Sequence, residues 1–358
     1  MRSDILALNE ARQAKIAAQL GAMPAAFRLF NQSDTYTVPF RCMMDMLLVG
    51  GGASGGMTYS SGVVAGAGAG EVAMLYGKVF EAGTVLSVAV GTGGAPVTRS
   101  TAGKTKGNPG GTTAVYNASL GFNLAAFGGQ PGDVGAVNTL QGGGPGGTGG
   151  GASYPVAGAL HFPGGSGGSA TSTTFGVAGG GAVNIMGWSS PTTKLAGGSL
   201  TSGSGAAGGA GVGGKGGDKT TATANSFSPG GGSGGPGDNA LSSAAAAGPN
   251  AVGLRTQASM SSLATLATWG LDYFGGGGYT TVAPGPGGGS SGDTVANIKA
   301  SGIFGGMGGA FNGSTTVTAI PQAGIGGGGA GLHVVSTAGW MSGRGGGGLV
   351  VLVLRRLP

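Results

Sequence analysis

The sequence predicts a mostly β and irregular protein: a small β-sheet frame beside packed polyglycine II helices, with a short N-terminal α-helix. Three observations carry that expectation. Glycine supplies 89 of 358 residues, against an ordinary usage of roughly 7 %. The composition breaks near residue 45, because residues 1–45 hold nine of the charges but a single glycine, Gly21. Apolar, strand-like blocks flank the glycine-rich part at Met46–Val49 and Leu349–Leu354. The chain therefore divides into residues 1–45, a docking helix with an extended linker, and residues 46–358, a glycine-rich domain.

The helix expectation rests on its ends and its stripe. Ser3 is a suitable N-cap and Asp4 suits the positive end of the helix dipole. Gly21 is a suitable C′ residue, and Pro24 follows it. Ile5, Leu8, Ile16 and Leu20 fall on one stripe at helical spacing, interrupted by Arg12. So narrow a stripe is marginal alone and needs a partner surface. Two readings follow: a helix folded back on its own body, or a helix that docks into another protein.

Beyond it, Phe27–Phe40 reads as extended, with a strand-like Thr35-Tyr36-Thr37-Val38. Met43–Val49 reads as a buried strand that runs into Gly50-Gly51-Gly52. Glu71–Phe80 and Thr84–Val90 alternate at strand period, and the short turn between them predicts a hairpin. Residues 240–268, rich in Ala, Ser and Leu, read as holding one short helix. The last strand, Leu349–Leu354, is apolar on both faces and must be buried on both. Met46–Val49 is its expected neighbour.

From Gly107 onward, glycine runs alternate with polar or aromatic insertions. High glycine ordinarily signals disorder, because fixing its backbone costs much entropy. Placed between two strand blocks, the runs instead read as turns between strands or as extended helices of three residues per turn. Such helices bond to one another only where side chains are absent. The recurrence of runs of three to six residues favours the second reading. A frame of this kind needs little apolar core and presents loops at the ends of each run, where binding residues tend to sit.

Composition also excludes functions. Charged residues are 8 % of the chain, and the net charge of +6 is spread with no cluster longer than Arg355-Arg356. A phosphate-neutralising face needs concentrated Lys and Arg, so nucleic acid is not an expected partner. Cys42 is the only cysteine, which leaves no internal disulfide and no thiolate metal site. The longest apolar run has six residues, far short of the ~18 or more of a membrane helix. The N-terminus lacks the apolar core of a signal peptide. The chain is expected to be made in the cytoplasm and to leave it only inside a larger assembly.

Several motifs arise from composition alone. Gly164–Gly168 and Gly231–Gly235 fit the G-x-S-x-G elbow, but no helix pattern follows either serine. Gly103-Lys104-Thr105 ends like a phosphate loop, yet Thr98 stands where the first glycine belongs. Gly213–Asp218 resembles one calcium nonapeptide without the array such sites need. His161 and His333 read as loop or packing residues. No enzyme activity, metal or cofactor is expected.

The order of blocks resembles the glycine-rich domain of bacteriophage tail fibre and tail tip proteins. Met46–Gly52 gives a strand into a glycine run, and Gly70–Gly94 gives the strand pair. Gly110–Tyr116 continuing to Ala126–Gly129 gives a short insertion returning to glycine, and Gly345–Arg355 the closing strand. The resemblance implies a virion protein, commonly a homotrimer, with variable loops on a polyglycine scaffold. It implies partners of two kinds: other virion proteins at the N-terminal helix (Ile5, Leu8, Ile16, Leu20), and a host receptor or glycan.

Trp188, Trp269, Tyr273, Phe274, Tyr279 and Trp340 interrupt the glycine pattern. They either cover edges of the scaffold and subunit contacts, or stand exposed as receptor-binding residues. Two functions stay open: recognition of the host surface, or a purely structural head-fibre or collar component without a receptor.

Overall fold

A computed structural model of the protein describes residues 26–59, 62–99, 102–136, 139–170, 175–177, 180–181, 183, 226–227, 310–312, 323–329, 331–334 and 340–357. The expected N-terminal helix and the expected helix within 240–268 lie outside them. The described residues form strands, one single-turn α-helix and one 3-10 turn at Ala118–Leu120.

In chain order these are β1 (Ala26–Phe30), β2 (Asp34–Thr37), β3 (Cys42–Val49), β4 (Met57–Tyr59), β5 (Gly62–Val64), β6 (Val72–Phe80) and β7 (Val85–Ala89). Then come β8 (Thr98–Arg99), β9 (Gly103–Thr105), β10 (Thr113–Asn117), β11 (Phe122–Ala126), β12 (Val134–Gly135), the helix α1 (Gly150–Ser153) and β13 (Leu160–Phe162). The last are β14 (Phe175–Val177), β15 (Ser226–Phe227), β16 (Ala310–Asn312), β17 (Leu332–Val334), β18 (Trp340–Met341) and β19 (Leu349–Arg356).

One end of the molecule is a sandwich of two sheets, ordered β1-β19-β3-β6-β13 and β11-β10-β7-β2. The closing strand pairs antiparallel with β3 along its whole length, Leu349 opposite Val49 and Arg356 opposite Cys42. That is the neighbour its apolar faces require. Met44, Met46, Leu48, Leu75, Phe80, Val350, Leu352 and Leu354 face the second sheet, meeting Leu86, Val88, Val115, Phe122 and Leu124. The alternate residues Leu47, Val49, Val72, Met74, Leu349, Val351 and Val353 form a second cluster with Ala69, Phe162 and Val183. Period-2 alternation thus gives β3 and β19 two apolar faces and two cores.

The expected hairpin does not form. β6 pairs with β3 and β13, whereas β7 pairs with β2 and β10. The chain passes from one sheet to the other at Ala82-Gly83. The reason is packing: Leu75 and Phe80 face Leu86 and Val88 across one core, an arch between sheets rather than a shared ladder.

β6 also carries a bulge. Its register against β3 shifts between Met44 and Met46, and the extra residue is taken up at Tyr76-Gly77. Gly77 has φ +68°, a left-handed value that favours glycine. Its N–H donates to Asp45 Oδ1 (2.8 Å), while Arg355 Nη1 donates to Asp45 Oδ2 (2.6 Å). The buried Asp45 is therefore satisfied on both oxygens.

Beyond the sandwich, the chain shuttles along glycine-rich runs held by backbone hydrogen bonds. Run 50–55 donates at Gly50 and Ala53 to Glu71 and Gly68, at Gly51 and Ser54 to Gly111 and Asn108, and at Gly52 and Gly55 to Gly346 and Gly343. Every third N–H meets the same neighbour. Run 65–71 repeats this: residues 65, 68 and 71 reach 133, 130 and 127, residues 66 and 69 reach 168 and 165, and residues 67 and 70 reach 329 and 326. Carbonyls of the two runs accept in turn from Gly94, Gly129 and Gly329, and from Gly144, Gly147 and Gly181. Each of these inner runs thus contacts six neighbours. Close approach of backbones makes this possible: a Cβ at Gly52 would meet the Gly327 carbonyl. Alanine is accommodated in places, since Ala53, Ala65, Ala67 and Ala69 are wholly buried.

Candidate binding pole

The runs join the sandwich to an opposite pole. Run 50–56 leads from β3 to β4, and run 65–71 returns from β5 to β6. Runs after β7, β11 and β13 lead outward; those after β9 and β18 lead back. At the pole stand two four-stranded sheets, β12-β5-β14-β15 and β16-β17-β4-β9, and the ribbon β18-β8. Several pairings there are parallel: β14 with β5 and β15, and β17 with β4 and β16. Parallel neighbours are what a chain makes when separate runs arrive at the pole in the same direction.

Of the aromatic residues singled out in the sequence, the structure places one. Trp340 opens β18, in register with Arg99 of β8. Trp188, Trp269, Tyr273, Phe274 and Tyr279 lie outside the described residues, as do Ile5, Leu8, Ile16 and Leu20. His333 lies on β17, in register with Thr58 and Phe311.

The described part of the pole also carries a built turn. Thr139 N and Oγ1 both donate to the Ala136 carbonyl (3.4 and 2.6 Å), and Gln141 Nε2 donates to Thr139 Oγ1 (2.9 Å). Gln141 bridges to Ala170. The turn holds Leu140 outward at 68 % exposure. Nearby, Lys106 Nζ pairs with Asp133 Oδ1 at 2.8 Å with both side chains half in water, a contact that contributes at most about 1 kcal/mol.

Where the runs meet the sandwich, the structure gathers a polar cluster that sequence reading missed. Glu71 is 1 % exposed. Its Oε2 accepts from the N–H groups of Phe127 (2.9 Å) and Gly150 (3.1 Å), and its Oε1 lies 3.1 Å from His161 Nδ1. One carboxylate thus ties together β6, the end of β11, α1 and β13. His161 Nε2 is buried without a partner. Glu71 gave no signal beyond being an acid at the first residue after a glycine run. Among the described residues, no group of three His, Cys, Asp or Glu is gathered that could hold a metal ion, and no helix is long and apolar enough to cross a membrane.

Strand frame, backbone-bonded runs and a second group of short sheets define a class of protein whose scaffold is made largely of glycine. The sequence matches the family described as a glycine-rich domain over residues 30–257. The match covers more than half of the chain, which belongs to that family. No curated protein matches the sequence.

Proposed function

We propose that the chain is a bacteriophage fibre or spike protein that recognises the host surface through loops carried on a polyglycine scaffold. The observation that carries this reading is the separation of two poles. Both described ends, Ala26 and Leu357, lie on the sandwich; Ala26 is opposite Leu354, and Leu357 N donates to the Arg41 carbonyl. The chain reverses repeatedly at the other pole. A rigid rod held at one end and bearing loops at the other is suited to contact at a distance from its anchor.

On this reading the runs are polyglycine II helices side by side. The three-residue recurrence of their hydrogen-bond partners supports it, because that helix has three residues per turn and no internal hydrogen bonds. The N-terminal stripe would dock to other virion proteins, the subunits would form a trimer, and the aromatic residues would meet a receptor or glycan. The protein would be assembled in the host cytoplasm and reside in the virion.

The test is binding of the purified, labelled protein to susceptible cells. Deleting residues 264–282 is expected to abolish binding while the protein still melts cooperatively. Unchanged adsorption of that variant would sink the receptor reading. Particles that lack the protein and still adsorb normally would favour a purely structural component.

A further inference from the structure

Positions along an outer run fall into three phases, and only two of them face the lattice. Run 142–148 shows this most plainly. A Cβ at Gly143 or Gly146 would meet backbone at Gly167 or Gly164, and one at Gly144 or Gly147 would meet backbone at Gln130 or Phe127. A Cβ at Gly142 would meet only Asp133 Oδ2, at 3.5 Å. Positions 142, 145 and 148 are exposed and hold Gly, Pro and Thr. Gly144 and Gly147 donate inward to Gly66 and Ala69. Among the described residues, the N–H groups of Gly142 and Thr148 meet no acceptor, and Pro145 has no N–H to offer.

Two more outer runs repeat the arrangement. In run 108–112, Gly110 and Gly111 donate to Gly129 and Thr92, while Pro109 and Thr112 are exposed. In run 163–168, Gly164 and Gly167 donate to Gly147 and Gly144, while Pro163 and Ser166 are exposed. The inner runs 50–55 and 65–71 hold no proline. In these three outer runs, proline stands on the outward phase, where the lattice asks for no donor.

We infer that this outward phase is a latent interface for a run of a second copy of the chain, and that proline and the side chains in phase with it hold it shut. The occupant is argued from the molecule's own interior. Run 163–168 seats on run 142–148 by two bonds three residues apart, Gly164 to Gly147 and Gly167 to Gly144, at 3.1 and 2.9 Å. A second copy brings the same runs at the same spacing. A row of unpaired backbone groups is a template for another chain, as it is at the edge of a sheet. Proline removes the donor. Thr112, Thr148 and Ser166 each carry a Cβ outward, and wherever runs touch in the lattice a Cβ would collide with backbone. The device keeps rods single, whatever their ends attach to. It does not depend on the particle reading, because it concerns any two copies in solution.

Opening the flank tests it. Pro145→Gly with Thr148→Gly makes residues 142–148 glycine throughout. Sedimentation of the full chain is expected to show reversible association, with the average mass rising about twofold or more over the parent at equal concentration. Hydrogen exchange at positions 142, 145 and 148 is expected to slow as concentration rises. Pro145→Ala with Thr148→Ala restores the N–H at 145 but keeps a Cβ at both positions, and is expected to sediment as the parent does. Pro163→Gly with Ser166→Gly repeats the test on the neighbouring run where the first variant does not fold. A parental mass in the glycine variant overturns the proposal. So does equal association of the alanine variant, or association that leaves exchange at 142–148 unchanged.

Discussion

The sandwich and the glycine runs are both buried, but for different physical reasons. The sandwich excludes water with side chains: Met44, Leu48, Phe80, Leu124 and Leu352 fill the space between its sheets. The runs exclude it with backbone: Gly51, Gly68 and Gly329 are buried because other backbones lie against them and take their N–H groups. One region depends on apolar area, the other on closeness and direction. They should fail in opposite ways, the first when a side chain is removed and the second when one is added.

The largest expected effect is on the sandwich. Leu352→Ala removes a wholly buried side chain from β19, an inner strand of the five-stranded sheet, and should cost about 2–5 kcal/mol in chemical denaturation. Gly52→Ala inverts the experiment. Its added methyl meets the Gly327 carbonyl, and the expected loss is about 1–3 kcal/mol. A neutral Gly52→Ala would show that the runs can spread apart, and the contrast between the regions would dissolve.

The junction between the regions comes next. Glu71→Gln keeps one acceptor oxygen but removes the charge that serves two N–H groups and His161. The expected cost is about 1–3 kcal/mol, with protection lost first at β13. If protection falls evenly, Glu71 is not a local tie.

A smaller effect is expected at alkaline pH, and only in the sandwich. Burial raises the Cys42 thiol above its ordinary 9.0. Burial, and then the neighbouring Asp45, raise the Tyr76 phenol above 10.0. Both groups are neutral when protonated, so the fold favours the protonated forms. Their contribution is whole below the ordinary values and is lost as pH rises through the raised ones. The melting temperature should therefore fall above pH ~9, and Tyr76→Phe should soften the fall. The smallest effect belongs to Lys106→Ala at the pole, where loss of an exposed pair should shift stability by no more than about 0.5 kcal/mol.

The same difference explains what could be read from the sequence. Leu349–Leu354 announced its burial on both faces, and Met46–Val49 announced itself as the neighbour, because side-chain identity carries that information. The runs were legible by their composition, but not as an arrangement. Nothing in Gly51 says that its partner is Gly111, because the partners are backbone atoms that every residue shares. β6 and β7 show the limit of periodicity: alternation marks each as a strand without choosing between a common sheet and facing sheets. Glu71 and His161 are 90 positions apart, and only the crossing of β6 and β13 brings them together. At the pole, Trp340 was legible as an interruption of the glycine pattern, but its place opposite Arg99 depends on pairing that two-residue strands do not encode.

The repeat of three in the hydrogen bonds of runs 50–55 and 65–71 sets a rule for how such a molecule can change length. Three residues added to a run return every N–H to the neighbour it had before. One or two added residues rotate the remainder, so each N–H points to the wrong neighbour. Insertions within the rod are thus quantised in threes, while insertions at the pole, where no run is interrupted, are free in length. A lineage of such chains would lengthen its rod in steps and vary its tip continuously.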